Sequence, residues 1–335
     1  MSSLSIGTII VLLLILGAEF INGWTDAPNA IATVVTTRVL SPKQAVLLAV
    51  VLNVAGAFSG VAVATTIGTE IVKPEIVNLQ TVGAAMVAII IWSTLAWRFG
   101  GLPISESHGL LAGLAGAGLA LNGPKVLVMS GWIKVLIGLF FSTFVGFFFA
   151  YLIFLSISWI FKRTGISRVR KFFGKLQIFS AGFMAYSHGS NDGQKFIGAF
   201  SLALFLAGIT KQFTVPSWVI ILCATIMGIG TITGGWKIIK TLGVKLTKLE
   251  PQHGFAAETA AATAIEIASR LGIPLSTTHA ISSAIMGVGT AQRRSAVHWG
   301  LAKDIVIAWV LTFPVCGLIA WTVTKLSMLI LTKGN

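Results

Sequence analysis

The sequence predicts an all-α, polytopic membrane protein of about ten to twelve transmembrane helices, folded as two inverted-topology repeats with broken or re-entrant helices at the bilayer midplane. Three observations carry this expectation. Of the 335 residues, 55% are hydrophobic and 10% charged, and the mean hydropathy is +0.90. The apolar runs have about the 17–25 residues that a bilayer crossing requires. They are apolar on all sides, whereas a β-barrel would alternate with period two. Lastly, two polar motifs each occur twice, in the same order.

In chain order, the first apolar run covers residues 4–40. As one helix it would be about 55 Å long against a hydrocarbon core of about 30 Å, so it must tilt, break or fold back. "NGWTDAPNA", with Gly23 and Pro28 flanking Asp26, is the natural break. Further spans follow in "QAVLLAVVLNVAGAFSGVAVATTI" and "TVGAAMVAIIIWSTLAW". "GLPISESHGL" then stops one element at Pro103 and offers Ser105 as the N-cap of the next. In the second half "SHGSND", with Gly189 and Gly193, repeats the break, "PSWVIILCATIMGIGTITGGW" repeats a span, and "GIPLSTTHAI" repeats Pro274 and Ser276.

The motif pairs align at nearly one offset. Residues 22–32 match 188–198, placing Asp26 on Asp192, and 101–110 match 272–281, placing His108 on His279. The chain therefore divides into a first repeat (1–161), a basic linker (162–175) and a second repeat (176–335). Charge bias fixes their relation. The linker carries Lys162, Arg163, Arg168, Arg170, Lys171 and Lys175 without an acid, so it is expected in the cytoplasm. Lys237, Lys240, Lys245 and Lys248 follow one second-half span, where the first half has Glu70, Lys73 and Glu75. Equivalent loops of opposite bias place the repeats in opposite orientation, with both termini extracellular and an odd number of crossings in each half.

Several functions are excluded by the same pattern. The net charge of +14 sits at segment ends, as orientation signals do, and not on a nucleic-acid-binding face. Cys223 and Cys316 lie in apolar runs without metal spacing. The first 22 residues lack the basic start of a signal peptide and are expected to remain as a helix. There is no P-loop, HExxH or nucleophile elbow. The glycine-rich "GLLAGLAGAGLA" lacks a preceding strand and reads as close helix packing.

The first motif offers Asp26 and Asp192 beside Asn22, Asn29 and Asn191, a hard-oxygen environment suited to Na⁺. The competing reading is that each aspartate caps a helix, or that Asp192 pairs with Lys195. Lys195 itself either neutralises an anion or serves as that counter-ion. The second motif ends in hydroxyls at a helix start: Ser105, Ser107, Ser276, Thr277 and Thr278. Such a start presents free N–H groups and partial positive charge to phosphate-like anions. Its alternative is plain capping. Glu258 lies in "GFAAETAAATAIEIASRLG" two turns from Glu266, a further candidate cation site, and Glu106 is an asymmetric extra opposite Thr277. His108 and His279 are either proton-linked groups or packed hydrogen-bonding residues.

"GWTDAPNAIATVV", "HGSNDGQKFIG", "GLPISESH" and "GIPLSTTHAISSAIMGVG" closely resemble the signatures of the inorganic phosphate transporter family, over nearly the whole chain. The resemblance implies a secondary transporter, not an enzyme, importing phosphate in symport with Na⁺ or H⁺ by alternating access. It also implies no cofactor, a multi-pass place in the cell membrane and a homodimer. The family's signature residues map onto Asp26, Asn29, Asp192, Ser105, Ser107, Ser276, Thr277 and Thr278. Relatives commonly carry an acid and a threonine near "VAVATTIG", where Ala64 and Thr65 stand here. Some relatives carry sulfate or metal–phosphate complexes, and an anion channel or a phosphoryl-transfer enzyme could use the same helix starts. Na⁺-coupled phosphate import is the expectation taken forward.

Overall fold

The computed structural model describes residues 5–333, with side chains to Ile330. The two expected extracellular ends, residues 1–4 and 334–335, lie outside the described residues. Fifteen α-helices follow one another, with no β-strand among the described residues. The first half holds α1 (Ile6–Thr25), α2 (Pro28–Thr36), α3 (Pro42–Ala57), α4 (Ala62–Thr69), α5 (Leu79–Phe99), α6 (Glu106–Asn122), α7 (Met129–Phe140) and α8 (Gly146–Ile160). The second holds α9 (Ile166–His188), α10 (Gln194–Leu206), α11 (Ser217–Thr233), α12 (Trp236–Lys240), α13 (Pro251–Arg270), α14 (Thr277–Gln292) and α15 (Trp299–Lys333). The fold is all-α, and its apolar length and surface are those of a multi-pass membrane protein. Four stretches, Ile6–Thr36, Leu79–Phe99, Met129–Ile160 and Trp299–Ile330, are long and apolar enough to span a bilayer as they stand. Phe140, Phe148, Leu152, Trp159, Leu318 and Ile330 stand exposed on their outer faces, where a soluble protein would be polar.

The sharp bends lie elsewhere than the two aspartates. α3 and α4 meet at 68°, and Ser217–Thr233 meets Trp236–Leu246 at 61°. Gly234, with φ of +63°, makes the second bend possible, a conformation that side-chain-bearing residues rarely adopt. At Asp26 the helix breaks for only two residues before Pro28 opens α2, and the pair continues as one 31-residue span. Pro28 has no N–H to lose at this position, so the interruption costs little direction. In the second half the expected break is a π-helical turn, Gly189–Gly193, that joins α9 to α10 without unwinding. The wider turn inserts a residue into the helix and re-aims the side chains beyond it. The basic stretch 162–175 is likewise helical for most of its length, because α9 starts at Ile166.

Helix pairs recur between the halves. α1 packs on α5 as α9 packs on α13, α1 on α11 as α9 on α3, and α2 on α12 as α10 on α4. Glycines permit two of these crossings. A Cβ on Gly23 would come within 2.1 Å of the Met227 carbonyl, and one on Gly230 within 2.2 Å of that of Phe20. At the equivalent α3–α9 crossing, Gly56 and Gly189 would each approach a facing carbonyl to 2.0 Å.

The packing units are not the two halves. One core joins Ala30, Ile31 and Val34 of α2, Ala45 and Ala49 of α3, and Phe154 of α8 to α9, α13 and α14. The other joins α1, α4, α5 and α6 to Phe196, Ile197 and Phe200 of α10 and to Cys223 of α11. Each core therefore borrows helices from the opposite half, and the seam between them runs past the starts of α2, α10, α6 and α14. Gly230→Val should lower stability by about 3 kcal/mol through overpacking against backbone. Gly165→Ala, with no neighbour within 4 Å, should leave the melting temperature of the purified protein unchanged.

Candidate functional site

Two helix starts define the centre. Ser105 caps α6 by accepting from the His108 amide at 3.2 Å, and Ser276 caps α14 by accepting from the His279 amide at 3.2 Å. The caps expected from sequence are present, so these two hydroxyls serve their own helices. Each first turn still has its leading amides, at Glu106 and Ser107 and at Thr277 and Thr278, beyond the reach of intrahelical carbonyls. The two starts lie close enough for the His108 and His279 rings to meet edge to face, with centroids 4.6 Å apart.

Asp26, at the end of α1, and Asp192, in the π turn, converge on these starts. Thr277 links them: its Oγ1 lies 2.9 Å from Asp192 Oδ2 and 3.4 Å from Asp26 Oδ2. Asp26 Oδ1 accepts from the Thr278 hydroxyl and the Asn29 amide. Asp192 Oδ1 accepts from Lys195, whose ammonium also donates to Ser107 Oγ and to the Leu275 carbonyl. All of these side chains are buried, none more than 1% exposed. A lysine is rarely buried so deeply unless paired, and here the three N–H donors of its ammonium meet three oxygens.

Glu19 and His188 escaped the sequence reading, and Glu106 entered it only as an asymmetric extra. Glu106 is buried and accepts from the Thr25 hydroxyl at 2.5 Å, which adds a third carboxylate beside Asp26. His188, four residues before Asp192, sets Nε2 3.5 Å from Asp192 Oδ2 and Nδ1 3.0 Å from Asn53 Oδ1. Donor atoms of Asp26, His188 and Asp192 all lie within 4.8 Å of one another. Glu19 is fully buried and accepts from Asn22 at 3.1 Å. The signals were spacings, three residues from Glu19 to Asn22 and four from His188 to Asp192, each of which puts the pair on one helix face.

Other expected residues lie apart from this centre. Asn191 points its amide at Ser269 Oγ, 2.9 Å away, and at the Ile273 carbonyl, in a cluster with Ser190 and Glu266. Glu258 has its own shell: the Thr33 hydroxyl at 2.5 Å and the Gln177 amide at 3.0 Å on Oε1, with Ser180 on Oε2. His279 stacks on Trp309 with centroids 3.8 Å apart, and His108 packs on Phe313. The two histidines line an apolar cavity of 360 Å³ with Leu139, Val306 and Val310. The ring nitrogens of His108 meet no hydrogen-bond partner among the described residues.

An all-α bundle with apolar outer faces, closed around carboxylates, one ammonium and two helix starts, defines a multi-pass membrane protein with a buried charged centre. The chain belongs to the phosphate transporter family, whose model matches residues 22–320. It is 46% identical over 304 residues to a probable low-affinity inorganic phosphate transporter of Rhizobium meliloti (strain 1021), covering 90% of this chain and 91% of that one. It is 40% identical to a protein of the same description from Bacillus subtilis (strain 168), covering 94% of this chain and 95% of the other. A solved structure described as the sodium-dependent phosphate transporter superimposes with a TM-score of 0.81 at 26% identity, covering 97% of this chain and all of that one. These are transporters, not enzymes.

Thr277→Val removes the hydroxyl between the two aspartates. Losing a hydrogen bond to a buried carboxylate should lower phosphate uptake by about tenfold. Thr290→Val, near the far end of α14 where the hydroxyl bonds only the Met286 carbonyl, should leave uptake rates in reconstituted vesicles unchanged.

Proposed function

We propose that this protein imports inorganic phosphate in symport with Na⁺ by alternating access. The observation that carries the reading is the meeting of the α6 and α14 starts at the buried pair Asp26 and Asp192. In this reading phosphate is held by the leading amides of both helices, with Ser107, Thr277 and Thr278 supplying hydroxyl donors. Lys195 and Asn29 stand beside it. Two helix starts aimed at one point give an oxyanion neutral and partially positive partners without a full charge for each oxygen.

Coupling follows from the charges. Asp26, Glu106 and Asp192 face one ammonium, that of Lys195, and a doubly charged anion enters the same water-excluded space. Without further positive charge its transfer from water costs many kcal/mol. Na⁺ bound to the carboxylates, with Asn22 and Asn29 nearby, lowers that cost. By linkage, phosphate raises the affinity for Na⁺ by the same factor. Glu258 and its shell of Thr33, Gln177 and Ser180 form a second oxygen-rich cluster of the type Na⁺ accepts. The basic stretch 162–175 faces the cytoplasm in this scheme, with both termini outside.

A second reading has one specific observation behind it. The nitrogen and oxygen donors of Asp26, His188 and Asp192, within 4.8 Å of one another, suit a divalent cation as well, which would enter with phosphate as a neutral metal complex.

Phosphate uptake into proteoliposomes under an imposed Na⁺ gradient, an imposed pH gradient or added divalent metal separates the readings. The expected outcome is saturable uptake that requires Na⁺. Uptake that ignores Na⁺ and follows pH or metal would reject Na⁺ symport. Asp192→Asn leaves the Lys195 ammonium without its counter-ion, and Asp26→Asn removes a proposed cation ligand; each should reduce coupled uptake by about a hundredfold. Near-normal transport in both would remove the aspartates from the mechanism.

A further inference from the structure

The contacts around the two aspartates form two equivalent sets. Around Asp192 the set is its carboxylate, the Ser107 hydroxyl and the Leu275 carbonyl, with the Lys195 ammonium bonded to all three. The repeat alignment places Asp192 on Asp26, Ser107 on Thr278, Leu275 on Ile104 and Lys195 on Asn29. The surroundings of Asp26 realise that correspondence. Thr278 Oγ1 lies against Asp26 Oδ1 and 3.0 Å from the Ile104 carbonyl, and the Asn29 amide bonds Asp26 and lies 2.8 Å from Thr278 Oγ1.

The sets differ in charge and in donors. In the Asp192 set, carboxylate and ammonium cancel, and three N–H groups serve three oxygens. The other carries the charge of Asp26 with no lysine. Its Thr278 hydroxyl has one hydrogen for two facing acceptors, Asp26 and Ile104, and the Asn29 amide supplies the further hydrogen bond to Asp26, so neutral donors alone face this carboxylate. Asn29 Oδ1, fully buried, meets no donor among the described residues. Carboxylate, hydroxyl, carbonyl and a side-chain amide oxygen are the hard ligands that a small monovalent cation takes.

We infer that Lys195 is a tethered cation: its ammonium takes, beside Asp192, the place that a co-transported cation takes beside Asp26. This carrier therefore moves one cation fewer per phosphate than it would with an amide at position 195. The inference rests on the symport reading for its consequence, and on the paired geometry for its substance. A lysine that merely holds phosphate would leave the cation count unchanged when replaced. A tethered cation would be replaced by a free one, because asparagine restores the oxygen set found around Asp26.

The test compares wild type, Lys195→Asn and Asn29→Lys in proteoliposomes, reading the cation charge moved per phosphate from paired current and isotope fluxes. Lys195→Asn should raise the ratio by one charge, steepen the Na⁺ dependence and weaken phosphate uptake by about tenfold at low Na⁺, with recovery at high Na⁺. Asn29→Lys should lower the ratio by one. An unchanged ratio in both variants overturns the inference. Should either variant fail to transport, radioactive Na⁺ binding to purified protein of wild-type melting temperature decides: one more site in Lys195→Asn supports it, and equal stoichiometry overturns it. If wild-type uptake follows pH and not Na⁺, the Na⁺ reading falls. The charge ratio then still decides the role of Lys195, since it counts protons equally well.

Discussion

Three carboxylates and one ammonium share a space from which water is excluded, and the rest of the molecule is arranged around making that tolerable. Like charges a few ångströms apart repel far more strongly there than in water, because little dielectric screening remains. Side-chain donors from four elements are accordingly brought to Asp26, Glu106 and Asp192: Thr25 from α1, Asn29 from α2, Lys195 from α10, and Thr277 and Thr278 from α14. The electropositive starts of α6 and α14 add two partial charges of the same sense. Even so, the formal balance of three carboxylates against one ammonium is negative, and the proposed symport reading would offset it with cations.

The fold meets this constraint by close approach. Gly23 with Gly230, and Gly56 with Gly189, let α1 meet α11 and α3 meet α9 backbone to backbone. These contacts hold the ends of α1 and α9, and so the two aspartates, at a fixed separation from the opposing helix starts. Serine caps set the first turns of α6 and α14 in matching geometry. Glu106, Asp192 and Lys195 lie within helical turns, and Asp26 closes α1. The sharp bends fall at α3–α4 and α11–α12, and the second packs Gly235 against Pro28 and the Trp24 carbonyl, beside the Asp26 break.

Much of this was legible because the chain presents the same environment twice. A lone buried aspartate has several ordinary explanations, whereas Asp26 and Asp192 in matching contexts constrain one another, and so do Ser105 and Ser276. Bilayer-length apolar runs gave the all-α class directly. The π turn at Gly189–Gly193 left no mark in composition, since a shifted hydrogen-bond register uses the same residues as an ordinary turn. The bends fell at residues 58–61 and at Gly234, where local sequence resembles many packed helices. Glu106 and His188 needed knowledge of which faces meet, because their partners Thr25 and Asn53 come from other helices, whereas Glu19 and Asn22 share one face of α1.

The two cores bear on how the chain could ever be divided. Because α2 nests with helices of the second half and α10 with helices of the first, a cut in the basic stretch would leave each fragment with bare apolar flanks that only the other can cover. Fragments made separately would be insoluble orphans, and made together they would have to interlock before either matured. Reciprocal exchange of this kind binds the halves as firmly as the peptide bond between them.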